Sequence, residues 1–314
     1  MEQTIFDRVV GVDHAYRKLN RLINFEDLAA PLKRLYSNLG QHGIDPLKGF
    51  KAMLLQFWED YSDREMERAV CENFAIRFFC GFGLTEKTPD HTYFCKLRKR
   101  IGTKRLADCF NFVNEELHKA KLFGNVFTFI DASTIVSKTA LWKERDRAIK
   151  DGHDRLNNVI VKNYAADPDA RWGAKSKKNI WFGYKRHSAV DMRYGLIVKT
   201  TVTPANVPDF KVVDQICPSR GLVFSDKLYD TKKTDLAIIA SGCSPGTIRK
   251  NNNPIKNFDL DKWRSRIRMP FEATFSKLAK RTRYRGLKKV AFANFAQSIC
   301  FNLKKALIAT SLAT

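Results

Sequence analysis

The chain has 314 residues, 44% of them hydrophobic and 23 of them Phe, which suits about two packed domains and excludes a disordered chain. Lys and Arg total 56 against 33 acidic residues, a formal net charge of +23, so a polyanionic partner is expected. Nucleic acid is the commonest such partner, with a ribosomal-type scaffold role or an anionic membrane surface as alternatives. No run approaches the roughly 18 apolar residues of a membrane span, and Met1-Glu2-Gln3 opens no signal-peptide pattern, so the chain reads as cytoplasmic with no membrane partner.

The first 120 or so residues read as helical throughout, a domain of about 1–120. Asp45-Pro46 starts a helix with Pro at its first position, and Leu47, Phe50, Leu54, Phe57 and Tyr61 follow at helical spacing. Ser62 and Glu65 have the spacing of a capping box, opening a second helix through Met66 and Val70. Asp90 caps a third, with Phe94, Leu97 and Ile101 on its inner face. That helix carries Lys96, Arg98, Lys99 and Arg100, candidates for DNA contact in a helix-turn-helix manner; a solvated basic face is the plainer alternative. A further helix from Lys104 to about Ala120 buries Leu106, Phe110, Val113 and Leu117. The seven cysteines are widely spaced with no C-x-x-C, so no disulfide framework is implied. Cys71, Cys80, His91 and Cys95 hold metal-ligand residue types, but the three cysteines stand among apolar residues at positions expected in a core.

Beyond Gly124 the pattern becomes α/β, a second domain over 121–314. Val126 to Ile130 is a short buried-strand run ending in Asp131; Ile180–Val190 and Gly195–Val202 form a hairpin of two more strands. A helix over Pro208–Ile216 precedes a buried strand at Leu222–Phe224, which stops just before Asp226. Asp230 is placed to cap a helix through Leu236 and Ile239, followed by a weak strand near Thr247. An amphipathic helix is predicted from about Pro270 to Arg281 with Phe271, Phe275 and Leu278 inward, and a last helix from about Phe292 to Ala309. The order β-β-β-α-β-α-β-α gives one mixed sheet with helices on its faces. Residues of about 137–178, with eleven Lys or Arg, read as a basic insertion.

Asp131 and Asp226 each follow a hydrophobic strand, where ligand sites of α/β sheets gather. Two carboxylates held close repel unless a cation lies between them, and oxygen donors suit Mg2+ or Mn2+. Two such ions serve phosphoryl chemistry by activating the attacking oxygen and stabilising the departing one. A strand-end Asp is also a common turn or cap residue. Glu272 stands among Lys262, Arg264, Arg266, Arg268, Lys277, Lys280, Arg281, Arg283 and Arg285. It is either a third metal ligand or the partner of Arg268 or Lys280 in a surface ion network.

Phe129-Ile130-Asp131, Asp167-Pro168-Asp169-Ala170-Arg171-Trp172-Gly173 and Gly183-Tyr184-Lys185-Arg186-His187 resemble the DDE transposases of bacterial insertion sequences. So do Thr203-Pro204-Ala205-Asn206, Ser225-Asp226-Lys227-Leu228-Tyr229-Asp230 and Arg268-Met269-Pro270-Phe271-Glu272, all in the family's order. Gly43-Ile44-Asp45-Pro46 and Asp90-His91-Thr92 look like its DNA-binding portion. The resemblance implies an RNase H-like core behind an all-helical DNA-binding and dimerisation domain, two Mg2+ or Mn2+ ions, and Asp131, Asp226 and Glu272 as catalytic and metal-binding triad. It implies double-stranded DNA as partner, both transposon ends and target, with cleavage and strand transfer at terminal inverted repeats by a homodimer in a bacterial cytoplasm. Lys185, Arg268 and Lys280 join the helix cations as DNA contacts. Two departures stand out: Ser265 where the family has Tyr, and Ala279 where it has Lys, with Lys280 one step on. A catalytically silent DNA-binding derivative is the alternative.

His187 lies beside Lys185 and Arg186 and either approaches the phosphate or is paired elsewhere. Trp172 either stacks on an unpaired base or packs on its own loop. Gly242-Cys243-Ser244-Pro245-Gly246 matches G-x-S-x-G but follows a helix and precedes a strand, so it reads as a turn. No G-x-x-x-x-G-K-[ST] loop occurs, and no nucleotide cofactor is expected.

Overall fold

The computed structural model describes residues 2–36, 43–137, 158, 161, 165–176 and 179–311. Of the basic insertion expected over 137–178, residues 138–157, 159–160, 162–164 and 177–178 lie outside the described residues. The chain divides into two compact units, Met1–Leu122 with Phe295–Thr314, and Phe123–Asn294.

The first unit is helical: α1 (Glu2–Val9), α2 (Ala15–Leu22), α3 (Phe25–Lys33), α4 (Pro46–Trp58), α5 (Asp63–Glu72), α6 (Phe74–Cys80) and α7 (His91–Lys119). The caps read from sequence are formed. The Asp45 carboxylate accepts from the backbone N–H groups of Leu47 and Lys48, Ser62 and Glu65 close a capping box, and Asp90 accepts from Tyr93 N–H. The two helices predicted on either side of residue 102 run on as α7, broken at Gly102, whose φ of 71° is left-handed and open to glycine. Phe50, Met53, Met66, Val70, Phe94, Leu97, Leu106 and Phe110 are buried in its core. Cys80 is buried as expected, but Cys71 and Cys95 are exposed, a correction to their core placement. His91 bonds to Glu67 at 2.9 Å instead.

The second unit is built on six strands: β1 (Phe127–Val136), β2 (Arg171–Ser176), β3 (Asn179–Asp191), β4 (Leu196–Pro204), β5 (Leu222–Ser225) and β6 (Ser244–Thr247). β4, β3 and β1 are antiparallel neighbours, and β5 and β6 then follow β1 in parallel. A three-strand meander extended by two parallel strands beyond its first strand is an RNase H-like sheet. β2, inside the polar stretch that gave no strand signal, pairs with the first part of β3. Gly183 is where β1, β2 and β3 meet; a β-carbon there would strike the Ile135 carbonyl.

The expected hairpin is β3–β4, and the helix expected over 208–216 is a 3-10 turn, Asp209–Val212, leading into the single turn α8 (Val213–Ile216). α9 (Lys232–Ala240) is capped by Thr231, whose hydroxyl accepts from Thr234 N–H, and not by Asp230. α10 (Phe258–Ser276) begins twelve residues before Pro270, capped by Asn257, and carries that proline inside. α11 (Leu287–Ser311) has its first eight residues in this unit and the rest in the helical one.

Candidate active site

Asp131 does not end its strand. β1 continues to Val136 because residues 128–136 pair with β3, Asp131 opposite Ser188. Opposed residues share a face, so Phe129, Asp131 and Ser133 lie on one side with Val190, Ser188 and Arg186. α10 covers that side: Phe275 meets Phe129 edge-on with ring centroids 5.6 Å apart. The opposite side, from Ile130 and Ala189, packs on Val213, Ile216, Tyr229 and Ile238.

Phe129 pairs with Phe224 across the parallel β1–β5 junction. Carrying that register two residues on sets Asp131 level with Asp226, one strand spacing of roughly 4.8 Å away. Asp226 closes β5 and caps the 3-10 turn Lys227–Tyr229, its Oδ1 accepting from Leu228 N–H at 2.6 Å. Burial pushes the Asp131 carboxyl up to about 6; the Ala132 N–H opposes this, the Asp226 charge adds to it, and Lys175 and Arg268 pull the other way. The two aspartates therefore form one electrostatic site.

Glu272 rides on α10, half exposed, its Oε1 2.9 Å from Arg268 Nη2 one turn earlier. The Arg268 guanidinium lies 5.3 Å above the Phe129 ring, and its Nη1 is buried without a hydrogen-bond partner. Arg268 thus stands on the aspartates' side of the sheet and holds Glu272 by an ion pair. Among the described residues no three His, Cys, Asp or Glu side chains are close enough to hold a metal ion together. Lys280 is exposed, and its carbonyl accepts from Val136 N–H at 2.8 Å, tying the segment after α10 to the end of β1.

Two of the expected DNA-contacting cations are engaged elsewhere. Lys185 is on the opposite face from Asp131, half buried, with Nζ 2.8 Å from Asp209 and 3.0 Å from the Val207 carbonyl. Arg98 lies at the seam of α5 and α7, donating to Asp63 at 2.6 and 2.8 Å and to Gln56 at 2.8 Å. Both are corrected to structural ion pairs, since a charge so enclosed is satisfied internally. Lys96, Lys99 and Arg100 are exposed on α7, with Arg100 also 4.5 Å above the Tyr36 ring.

Residues 123–303 match the family of transposase DDE domains, more than half of the chain. The chain belongs to this DDE transposase family. Residues 4–100 separately match a second family of transposase domains (DUF772). A solved piggyBac transposase synaptic complex with hairpin DNA is similar at 9% identity over 94% of this chain and 73% of that one, with a TM-score of 0.38. No described helix of the transposase is long and apolar enough to cross a membrane.

The structure gives roles to motifs that spacing alone left without one. Asp167, fully buried, accepts from Ser137 Oγ, Tyr184 OH and the Gly286 N–H, while Asp169 accepts from Leu287 N–H. The pair fixes the start of α11 against the sheet. Trp172 is buried on Phe182, so it packs in the core and offers no exposed stacking face. Asp230 binds Arg249, the Lys250 N–H and Asn253, shaping the loop that leads to α10. His187 is buried on the Lys185 side; its Nε2 meets Thr203 Oγ1 at 2.8 Å, and burial pushes its pKa down to about 4. It faces away from Asp131.

The donor set fits a hard divalent cation in part. Asp131 and Asp226 offer only oxygens, side by side and mutually repelling, which a cation would relieve. Around them Arg268 Nη1, Ser133 Oγ and Tyr229 OH are buried without hydrogen-bond partners, the condition of groups that await a polar ligand. Glu272 fits only on leaving Arg268.

Proposed function

We propose that this transposase cuts and joins DNA by in-line phosphoryl transfer at a divalent-ion site made by Asp131, Asp226 and Glu272. The observation that carries this reading is the register that sets Asp131 level with Asp226 beneath α10. Mg2+ or Mn2+, as two ions, would be held by the two aspartates with Glu272 and would supply activation of the attacking oxygen and stabilisation of the leaving one. Arg268, once a phosphate takes its guanidinium, releases Glu272 toward the aspartates, and its planar fork suits a phosphate better than a single carboxylate oxygen. Lys280, exposed at the end of β1, contacts the flanking backbone. The α7 cations Lys96, Lys99 and Arg100 hold duplex DNA at the terminal repeats, which makes residues 1–120 the DNA-binding domain and 121–314 the catalytic one. The substrates are transposon ends and target duplex, handled by a homodimer because two ends must be joined together. No nucleotide cofactor is involved.

Purified Asp226→Asn and Asp131→Ala chains should lose metal-dependent cleavage of a terminal-repeat duplex while still shifting it in a gel. Undiminished cleavage by either would sink the assignment. The second reading, a silent DNA binder, draws on the Arg268–Glu272 pair that keeps the third carboxylate occupied. Wild-type protein that binds the repeat but never cuts it with Mg2+ or Mn2+ would favour that reading.

A further inference from the structure

Behind the two aspartates lies a buried polar group that the proposed chemistry leaves unused. Tyr229 is the last residue of the 3-10 turn capped by Asp226, and its N–H donates to the Asp226 carbonyl at 3.1 Å. Its ring is fully buried, packed in one cluster with Ile130, the residue before Asp131. One edge of the tyrosine is thus fixed by the Asp226 turn and the other by β1. Its hydroxyl is buried without a hydrogen-bond partner. A buried hydroxyl left unpaired costs roughly 1–3 kcal/mol, so it needs an explanation in this state of the protein. The electrostatic neighbours of that hydroxyl are Asp131 first, then Asp209 and Asp226, and no cation ranks among them. A second unpaired atom, His187 Nδ1, stands 4.0 Å from Asp209 in the same half of the unit, and Asp209 is already held by Lys185. Asp209 is therefore provided for, and Asp131 is the carboxylate still lacking a side-chain donor among the described residues.

We propose that Tyr229 is a positioning residue of the ion site: its hydroxyl donates to the Asp131 carboxylate oxygen turned away from a bound divalent cation. Ligating carboxylates are ordinarily oriented by such donors, and losing one weakens metal binding by about 10–100-fold. The inference rests on the carboxylate-site reading above. It accounts for the orphan, because a donor poised for the occupied site has nothing to bond in the free one.

The test is Mn2+ titration of the full DNA-free chain by calorimetry, with the metal-free melting temperature measured in parallel. Tyr229→Phe keeps the packed ring and removes only the hydroxyl. The expected result is about tenfold weaker Mn2+ binding with an unchanged metal-free melting temperature, since the lost group made no bond there. Wild-type affinity in Tyr229→Phe overturns the proposal, and so does a fall in metal-free stability matching the loss of affinity, which would mark a structural role. Asp226→Asn separates the two levels. If it abolishes binding while Tyr229→Phe does not, only the tyrosine's role fails. If it binds Mn2+ like the wild type, or the wild type binds none, the carboxylate site fails and the tyrosine's role with it.

Discussion

α7 and α10 are both basic helices, and along the chain their cations look interchangeable. In the fold they are used in opposite ways. On the first half of α7, Lys96, Lys99 and Arg100 point to solvent, and only Arg98 is taken up, by Asp63 and Gln56. On α10, Arg264 pairs with Asp261 and Arg268 with Glu272, so the side turned to the sheet is neutralised cation by cation. Exposed cations recruit a polyanion along a duplex; cations held by carboxylates orient those carboxylates and wait for a stronger anion. Positive charge by itself does not distinguish the two, and the partner of each cation does.

The comparison breaks most sharply at Arg98. Arg98→Ala leaves the partly enclosed Asp63 carboxylate and Gln56 without their donor, and should cost about 2–3 kcal/mol in chemical denaturation. Lys99→Ala, one residue on and exposed, should stay within about 0.5 kcal/mol. Equal losses would mean that the α5–α7 seam is not where the helical unit is held.

At the α10 side the matching experiment removes the charge that Arg268 faces. The folded Asp131 value of about 6 lies above its ordinary 3.8, so the fold disfavours the carboxylate. Stability from this group is complete below 3.8 and is lost as pH rises through 6. Above that pH the penalty is about 2–3 kcal/mol, and Asp131→Asn should recover it, melting higher than wild type at pH 7.5 in chelator. The advantage should shrink toward pH 4 and on adding Mn2+. An unaltered melting temperature at pH 7.5 would mean that the two aspartates are not a strained pair.

Much of this was legible from residues. Ser62 with Glu65, Asp45-Pro46 and Asp90 announced their helices because capping is a local interaction. The Asp226 placement held because a short apolar run and a turn residue decide it. β1's passage through Asp131 was hidden, since Ala132, Ser133 and Thr134 carry no apolar alternation and stay in the strand only through pairing with β3. The start of α10 was hidden too: its inner face is made of Asp261, Arg264 and Arg268, so no apolar period signals it before Phe271. Pro270 then looked like a first-turn proline. Arg98 did leave a signal, four residues after Phe94 and three before Ile101, on the face those two bury. Lys185 left none, because which face of β3 meets Asp131 is decided by register with a distant strand.

A smaller effect separates the ion pair from its neighbours on α10. Glu272→Gln removes an i,i+4 pair on a half-exposed side chain, worth only about 0.3–0.5 kcal/mol, so melting should barely move while metal-dependent cleavage collapses. A large loss of stability would assign Glu272 to the helix's structure instead.

The gentlest test returns to α7. Lys96→Ala and Lys99→Ala each delete one exposed cation without touching Arg98 or the buried face of Phe94, Leu97 and Ile101. If both meet phosphates, each should weaken binding of terminal-repeat DNA and of unrelated duplex alike, because a phosphate contact carries no base information. Each should also lower the slope of log affinity against log salt by about one, since one fewer counterion is released. The double variant should lower it by about two, the sites lying on one helix but contacting separate phosphates. Lys185→Ala supplies the contrast: engaged by Asp209 on the sheet's far side, it should leave the slope untouched. A slope change at Lys185 and none at Lys96 or Lys99 would reverse the assignment of recruiting and orienting cations, and with it the division between α7 and the sheet.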